Sequence, residues 1–298
     1  MKKFIYYLLS SINLSGFITG SAQPKLNKYN LENVKIKVPP LEVQKKIAAV
    51  LSSLDDKIEL NNKINKNLEQ QAQAIFKNYF VENFNSDWEV GTLSDIIDFY
   101  NGYAFKSTDL LNEPISDCYK VFKQGHIKKG GGFNYSDTKS WYPISKCKNL
   151  SKYILRKGDV LMAMTDMKGN VAILGNTALM NVDNEFILNQ RVGLLRSNGY
   201  KNTSFAYIYF LTNYFDFVQD LRSRANSGVQ VNLSATEIKN SKIFIADEKT
   251  NEDFNFLVIP MLKIIGENQQ ENLRLAEMRD LLLPRLLNGE IDVSVVEI

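Results

Sequence analysis

The most regular hydrophobic pattern in the chain lies between residues 41 and 80. Alternating steps of four and three, the heptad spacing of a helix that packs along one seam, connect positions 47, 51, 54, 58, 61, 65, 68, 72, 75 and 79. Eight of these residues are apolar or aromatic, and the other two are Asn61 and Asn65 at the middle. Pro39 and Pro40 precede the segment, where a helix start tolerates proline, so the pattern predicts a long helix over residues 41–84.

A second seam of the same kind lies 207 positions further on, with Asn268 and Asn272 at its middle. It predicts a second long helix over residues 248–298. If the two helices fold antiparallel about their centres, Asn61 faces Asn272 and Asn65 faces Asn268. A buried amide left unpaired costs about 1–3 kcal/mol, so these four asparagines are predicted to fix the helix register.

The alternative is that the asparagines are solvated edge positions that match by common descent. A parallel pairing between two copies of the chain would also bring asparagine to asparagine, so the pattern leaves self-association open.

The first 40 residues resemble an internal stretch of the chain. FIYYLLSS at residues 4–11 aligns with AYIYFLTN at 206–213, and KIKV at 35–38 aligns with KIFI at 242–245. Residues 1–40 are therefore interpreted as the remnant tail of a first domain. The alternative is a secretory leader, because Lys2 and Lys3 precede an apolar run and Gly20 and Ala22 give the small residues of a cleavage site. Polar residues interrupt that run, which weakens the leader interpretation.

Residues 85–247 show short alternating segments with frequent glycine and aromatic residues, which predict a mixed α/β globule. The fold class expected for the whole chain is α+β: this globule plus two long antiparallel coiled-coil helices. Within the globule the pattern predicts a strand entering a helix at 87–97, a buried strand at 156–164 with its return strand at 168–174, a strand at 189–196, and one aromatic helix at 203–223.

Composition excludes several kinds of site. His126 is the only histidine and Cys118 and Cys147 are the only cysteines, which excludes metal sites built from several histidines and leaves too few cysteines for a zinc site. Neither G-x-x-x-x-G-K-[ST] nor G-x-G-x-x-G occurs, so no cofactor, metal or catalytic residue is predicted. With no apolar run of 18 residues, no membrane partner is expected.

Charge is uneven inside the globule. Between Lys120 and Lys157 ten residues are basic and only Asp137 is acidic, with six aromatic residues interleaved. Basic residues neutralise phosphates, and amide and aromatic groups reach bases, so the run indicates nucleic-acid binding. RSRANSGVQVN at 222–232 is a second candidate, with a helix cap at Gly228 as its structural interpretation. A solvated lysine-rich face is the alternative for the first run.

Several segments together resemble the DNA-specificity (S) subunit of type I restriction–modification systems: Val38–Ile64, Trp88–Ser107, Leu155–Gly175, residues 227–234 and Met278–Ile291. The resemblance implies that residues 85–247 form a target-recognition domain that reads one half of a bipartite double-stranded DNA target. It implies that the helices act as a ruler and dock methyltransferase (M) subunits, and through them the restriction (R) subunit, in the cytoplasm. The chain itself would perform no reaction.

By residue type and loop position, eleven residues are predicted to contact DNA: Tyr103, Lys106, Lys123, Lys128, Lys129, Tyr135, Gln190, Arg191, Arg222, Arg224 and Gln230. The family pattern has two recognition domains, and this chain matches its last half plus the 40-residue remnant. A truncated form or a half-subunit that pairs with another copy is therefore expected. The alternatives left open are an exported coiled-coil adhesion module and a non-functional remnant.

Overall fold

A computed structural model of the chain describes residues 2–19, 24–32, 34–36, 38–167, 171–227 and 230–296, and leaves aside the side chains of Ser227 and Gln230. The predicted cleavage point at Ala22 and the predicted cap at Gly228 lie outside the described residues. The chain divides into two compact units, which we call the helical unit (Met1–Asn67 with Ile265–Ile298) and the sheet unit (Leu68–Ile264).

Eight α-helices are described: α1 (Lys2–Ser11), α2 (Lys28–Glu32), α3 (Leu41–Lys77), α4 (Leu93–Ile96), α5 (Phe205–Asn213), α6 (Phe215–Ser223), α7 (Ala235–Lys239) and α8 (Glu248–Leu287). A π-helical turn (Asn78–Glu82) continues α3. Twelve strands are described: β1 (Glu89–Thr92), β2 (Ile97–Asn101), β3 (Cys118–Phe122), β4 (Trp141–Pro143), β5 (Val160–Ala163), β6 (Thr165–Met167), β7 (Thr177–Leu179), β8 (Phe186–Leu188), β9 (Val192–Ser197), β10 (Asn226–Ser227), β11 (Gln230–Asn232) and β12 (Lys242–Ile245). Within the described residues, no helix is both long and apolar enough to cross a bilayer.

Local chemistry sets the ends of the long helix α8. The Asp247 carboxylate accepts hydrogen bonds from Thr250 N (2.9 Å) and Thr250 Oγ1 (2.8 Å), which satisfies an otherwise unpaired N–H in the first turn. These bonds lower the pKa of Asp247. At the other end Gly289 has φ +74° and donates to Leu286 O, the left-handed cap for which glycine is preferred.

In the helical unit α3 and α8 run antiparallel, with the asparagines facing one another as the seam predicts. Asn61 Nδ2 donates to Asn272 Oδ1 (2.9 Å), and Asn268 Nδ2 donates to Asn65 Oδ1 (2.8 Å). Asn61 is fully buried. Asn61 Nδ2 also donates to Glu271 Oε2 (2.8 Å), whereas the buried Asn61 Oδ1 has no hydrogen-bond partner in the part of the chain that the structure describes. The role of the asparagines in fixing the register stays a prediction.

The repeat seen in the sequence reappears as two similar helix packings, one in each unit. In the helical unit Phe4, Tyr7 and Leu8 of α1 share a core with Ile47 and Leu286. In the sheet unit Tyr207 and Phe210 of α5 pack on Phe254, which aligns with Ile47, or on Phe76 and Phe80 near the end of α3.

The sheet unit is built around a four-stranded antiparallel sheet of order β2-β9-β5-β7 and a three-stranded sheet of order β4-β3-β8. Strand β5, predicted as buried, has no exposed residue. Two smaller pieces are the β1–β12 pair and a three-stranded antiparallel ribbon of order β10-β11-β6. The main core lies between the larger sheets and includes Phe122, Leu161, Phe186 and Leu194.

Two predicted elements differ from the structure. The single helix predicted over 203–223 is divided at Tyr214, whose backbone is extended (φ −67°, ψ 134°). Just before the break, Asn213 Oδ1 accepts from Thr177 N and Asn213 Nδ2 donates to Thr177 Oγ1, so a contact with β7 ends α5. The partner that returns alongside β5 is Thr177–Leu179, and the described residues 171–174 form a loop instead of the predicted strand.

Candidate nucleic-acid interface

Several loops of the sheet unit meet at one edge of the two larger sheets. Register places the end of β2 beside the start of β9 (Asn101↔Gly193) and the end of β5 beside Val192 (Ala163↔Val192). The ends of β3 and β8 join the same place, because Asn189 N donates to Phe122 O. We call this the loop edge and define it by residues 101–106, 123–132, 164, 171–176 and 189–191.

The loop edge brings Tyr103, Gln190 and Arg191 together. Tyr103 N donates to Leu188 O (2.9 Å), and Gln190 N donates to Tyr103 O (2.9 Å). A Cβ on Gly102 would lie 2.1 Å from Asn189 O, so only glycine allows this approach of the two backbones. Gln190 and Arg191 are exposed. Tyr103 is half-buried against Phe105 and Tyr153, a packing position with its edge at the surface.

A glycine turn presents Lys128 and Lys129 at the same edge. Gly130, Gly131 and Gly132 all have positive φ, and Gly132 N donates to Thr177 O at the start of β7. Both lysines are exposed, and in the part of the chain that the structure describes neither has an acidic partner within salt-bridge distance. Their charges are therefore directed to solvent.

Lys123 and His126 lie deeper in the loop edge. Lys123 Nζ donates to Ser140 Oγ (2.6 Å), and burial lowers the pKa of this ammonium. His126 is fully buried against the Phe122 ring (centroids 4.9 Å apart). Its Nδ1 accepts from Lys123 N (3.0 Å), and its Nε2 lies 3.1 Å from Thr138 Oγ1. Burial lowers the pKa of His126 below 6.5, against opposing effects of its backbone hydrogen bond and of Asp137.

This buried histidine predicts acid sensitivity of the fold. The unfolded histidine takes up a proton below about pH 6.5, whereas the folded one resists it, so stability present above pH 6.5 declines as pH falls toward the lowered pKa. We expect the melting temperature to drop more between pH 7.5 and 5.5 in the wild type than in His126→Gln. Because the chain has one histidine, the difference isolates this group. Equal drops would contradict the prediction.

The basic run of the sequence is not one patch. Three of its lysines are paired with acids: Lys120 with Glu185, Lys139 with Asp137 and Lys146 with Asp109. Two more, Arg156 and Lys157, precede β5 and lie at the end of the sheet away from the loop edge. From this run, the loop edge contains Lys123, Lys128 and Lys129. Together with Lys106 and Arg191 from other loops they are its basic residues, and only Lys123 is half-buried.

Arg222 and Arg224 are engaged within the protein. The Arg222 guanidinium donates to Leu174 O (2.9 Å) and Ala172 O (3.2 Å), and burial lowers its pKa. Arg224 donates to Glu237 O (2.8 Å) and forms an ion pair with Asp220. Their DNA contacts stay predictions, but the structure gives both side chains a positioning role that the sequence did not indicate.

The two remaining residues predicted to contact DNA are Tyr135 and Gln230. Tyr135 stacks on Phe133 at 3.8 Å and belongs to the core margin. The Gln230 backbone pairs with Met167, while its side chain lies outside the description. Sequence reasoning did not select Thr165 or Met167 on the adjoining ribbon, nor Asn226 and Asn232 within the candidate segment 222–232, because strands of two or three residues are too short to show an alternating pattern.

A family model and several known proteins match this chain. The family model "Type I restriction modification DNA specificity domain" matches residues 1–70 and 85–257. The type I restriction enzyme MjaIX specificity subunit of Methanocaldococcus jannaschii is 26% identical over 319 residues, spanning 99% of this chain and 70% of that protein. The MjaVIII specificity subunit of the same organism is 28% identical over 215 residues, spanning 66% of this chain and 48% of that protein.

Among solved structures, the S subunit of a type I restriction–modification system from M. genitalium superposes with a TM-score of 0.60. Its sequence is 16% identical, and the match covers 95% of this chain and 72% of that one. At this identity the likeness concerns the fold.

Proposed function

The chain belongs to the family of type I restriction–modification DNA specificity domains, and we propose that it reads one half of a bipartite double-stranded DNA target. The observation that carries this proposal is the loop edge. Exposed Lys128, Lys129 and Arg191 suit phosphate contacts, and exposed Gln190 beside them suits hydrogen bonds to a base edge.

We assign residues 85–247 to the target-recognition domain and residues 1–40 to the counterpart of the last part of such a domain. The segments 41–84 and 248–298 carry the long conserved helices. The 40 residues of α8 correspond to about 60 Å at 1.5 Å per residue, a length that suits a spacer.

The helices also suit docking of partner subunits. Leu60 and Ile64 on α3 and Met278 and Leu281 on α8 are exposed apolar side chains in the helical unit. In this proposal they contact methyltransferase (M) subunits, which perform methylation, and through these the restriction (R) subunit joins. The chain contributes recognition and no catalysis, and it works in the cytoplasm. Co-expression with the M subunit of the same system tests the assembly; an M subunit that never co-purifies would contradict it.

DNA binding at the loop edge predicts a change in salt dependence. We expect Lys128→Ala with Lys129→Ala to weaken binding of the M-bound chain to a 30-base-pair duplex, and to reduce the slope of log K against log salt by about 1–2, since each phosphate contact contributes about 0.9. Fluorescence anisotropy at several salt concentrations measures both quantities.

Arg156→Ala with Lys157→Ala is the matched control, because it removes two exposed charges at the other end of the sheet. An equal loss of slope in the control would show general electrostatics, and would count against the loop edge as the DNA face.

A further inference from the structure

The three-stranded ribbon beside the loop edge has two different faces. Strand β11 pairs with β6 through Val231↔Asp166, Gln230↔Met167 and Asn232↔Thr165, and β10 pairs with β11 through Asn226↔Asn232. Asp166 (8% exposed) and Val231 (9%) lie on the inner face. Met167 is 68% exposed, and Asn226 and Asn232 are exposed as well. Since side chains alternate along a strand, these three share the outer face.

The ribbon is joined to the loop edge at its base. Leu233 N donates to Met164 O (2.8 Å), and Met164 N donates to Arg191 O (3.2 Å). Thr165 Oγ1 donates to Gln124 Oε1 (2.5 Å). The outer face therefore continues the surface that carries Arg191.

A buried carboxylate holds the base of the ribbon. Asp166 Oδ1 accepts from Met167 N (2.8 Å), and Asp166 Oδ2 accepts from Ile173 N (2.7 Å) and Leu174 N (3.3 Å). The same loop is also bound by Arg222, whose Nε donates a hydrogen bond to Leu174 O. These contacts position the base of the ribbon, which base readout needs because the reading side chains must be held within about 0.5 Å of their working geometry.

The outer face carries side chains that can bind the edges of DNA bases. Asparagine amides donate and accept at once, the pattern that suits adenine, and an apolar tip suits the methyl group of thymine. A two-stranded or wider β-ribbon fits the major groove, about 12 Å across. A single exposed apolar residue needs no explanation by itself. Here, however, Met167 stands among exposed amides beside the cationic loop edge.

Building on the proposed function, we propose that the outer face of this ribbon enters the major groove, where Met167 contacts a thymine methyl and Asn226 and Asn232 bind base edges. Arg222 and Asp166 act as positioning residues behind it. The ribbon thereby supplies sequence specificity, while Lys128, Lys129 and Arg191 contact the phosphate backbone of the DNA.

The test is selection from a randomised duplex library by the M-bound chain. The wild type is expected to enrich one motif. Met167→Ala should relax the preference for T·A at one position, lowering its enrichment about tenfold, and leave the other positions unchanged. Asn226→Ala should relax a neighbouring position. Phe215→Ala is the control, because this α6 residue is 70% exposed outside the ribbon.

A second measurement isolates the methyl group. Replacing thymidine by deoxyuridine at the affected position should weaken the wild type about as much as Met167→Ala does, and should not weaken the variant further. The inference would be overturned if both ribbon variants enriched the same motif as the wild type. It would also be overturned if the Met167→Ala variant no longer bound the M subunit, because Met167 would then lie at a protein interface. Failure of the wild type to enrich any motif would instead refute the proposed function itself.

Discussion

Replacing Arg196 with leucine is expected to lower the free energy of unfolding of the sheet unit by about 3–5 kcal/mol, the range seen when one partner of a buried ion pair is removed. Arg196 Nε and Nη2 donate to the two carboxylate oxygens of Asp159 at 2.7 and 2.9 Å. The Asp159 side chain is 4% exposed. Without Arg196 its charge remains buried and poorly compensated, which is the source of the cost.

Two variants make the Arg196 result specific. Lys146→Leu breaks an ion pair with Asp109 of similar length (2.6 Å) that is 47% and 30% exposed, and should lower stability far less than Arg196→Leu does, because solvent screens this pair. Adding Asp159→Asn to Arg196→Leu removes the orphaned charge and should restore part of the loss. Urea denaturation, monitored by hydrogen exchange, measures the free energy of unfolding of all three variants. A loss below 1 kcal/mol for Arg196→Leu would show that water or backbone movement compensates Asp159.

Phe254→Ala is expected to cost about 3–5 kcal/mol, the range for an aromatic side chain removed from a packed core. Phe254 is fully buried, and its ring centre lies 5.0 Å from Phe80, 6.2 Å from Phe76 and 6.5 Å from Phe210. The cluster joins the first turns of α8 to α5 and to the end of α3. We therefore expect faster hydrogen exchange in all three segments, with the loop edge affected only through the lost stability.

The control for Phe254 lies on the same helix. Phe256 is 81% exposed, so Phe256→Ala should change stability by less than about 0.5 kcal/mol. Because alanine favours a helix more than phenylalanine does, helix propensity cannot lower the stability of Phe256→Ala. A loss in Phe256→Ala comparable with that in Phe254→Ala would therefore contradict core packing as the source of the Phe254 effect.

The pairing of charged side chains was harder to predict than the fold, and the difference has a physical cause. A lysine-rich run such as 120–157 says nothing about where its acidic partners lie. Glu185 reaches Lys120 from 65 residues away, and Lys146 meets Asp109 across 37. Arg222, whose DNA contact stays a prediction, donates to Leu174 O 48 residues earlier in the chain, a contact that the sequence could not indicate. Met167 went unnoticed, because only pairing with β11 gives it an outer face.

By itself the sequence determined the long helices and the buried strand β5, because each depends on a period that a local stretch of residues carries. It offered the antiparallel facing of the helices as one of two arrangements that pair the asparagines, and the structure has this arrangement within the chain. Asn61 and Asn272 could be paired from their numbers alone, and the structure joins them at 2.9 Å. Tertiary structure alone decided where the aromatic helix breaks, which lysines keep a free charge and which loops share an edge. Those outcomes depend on partners distant in the chain, since a hydrogen bond or ion pair forms with whatever group the fold brings within about 3 Å.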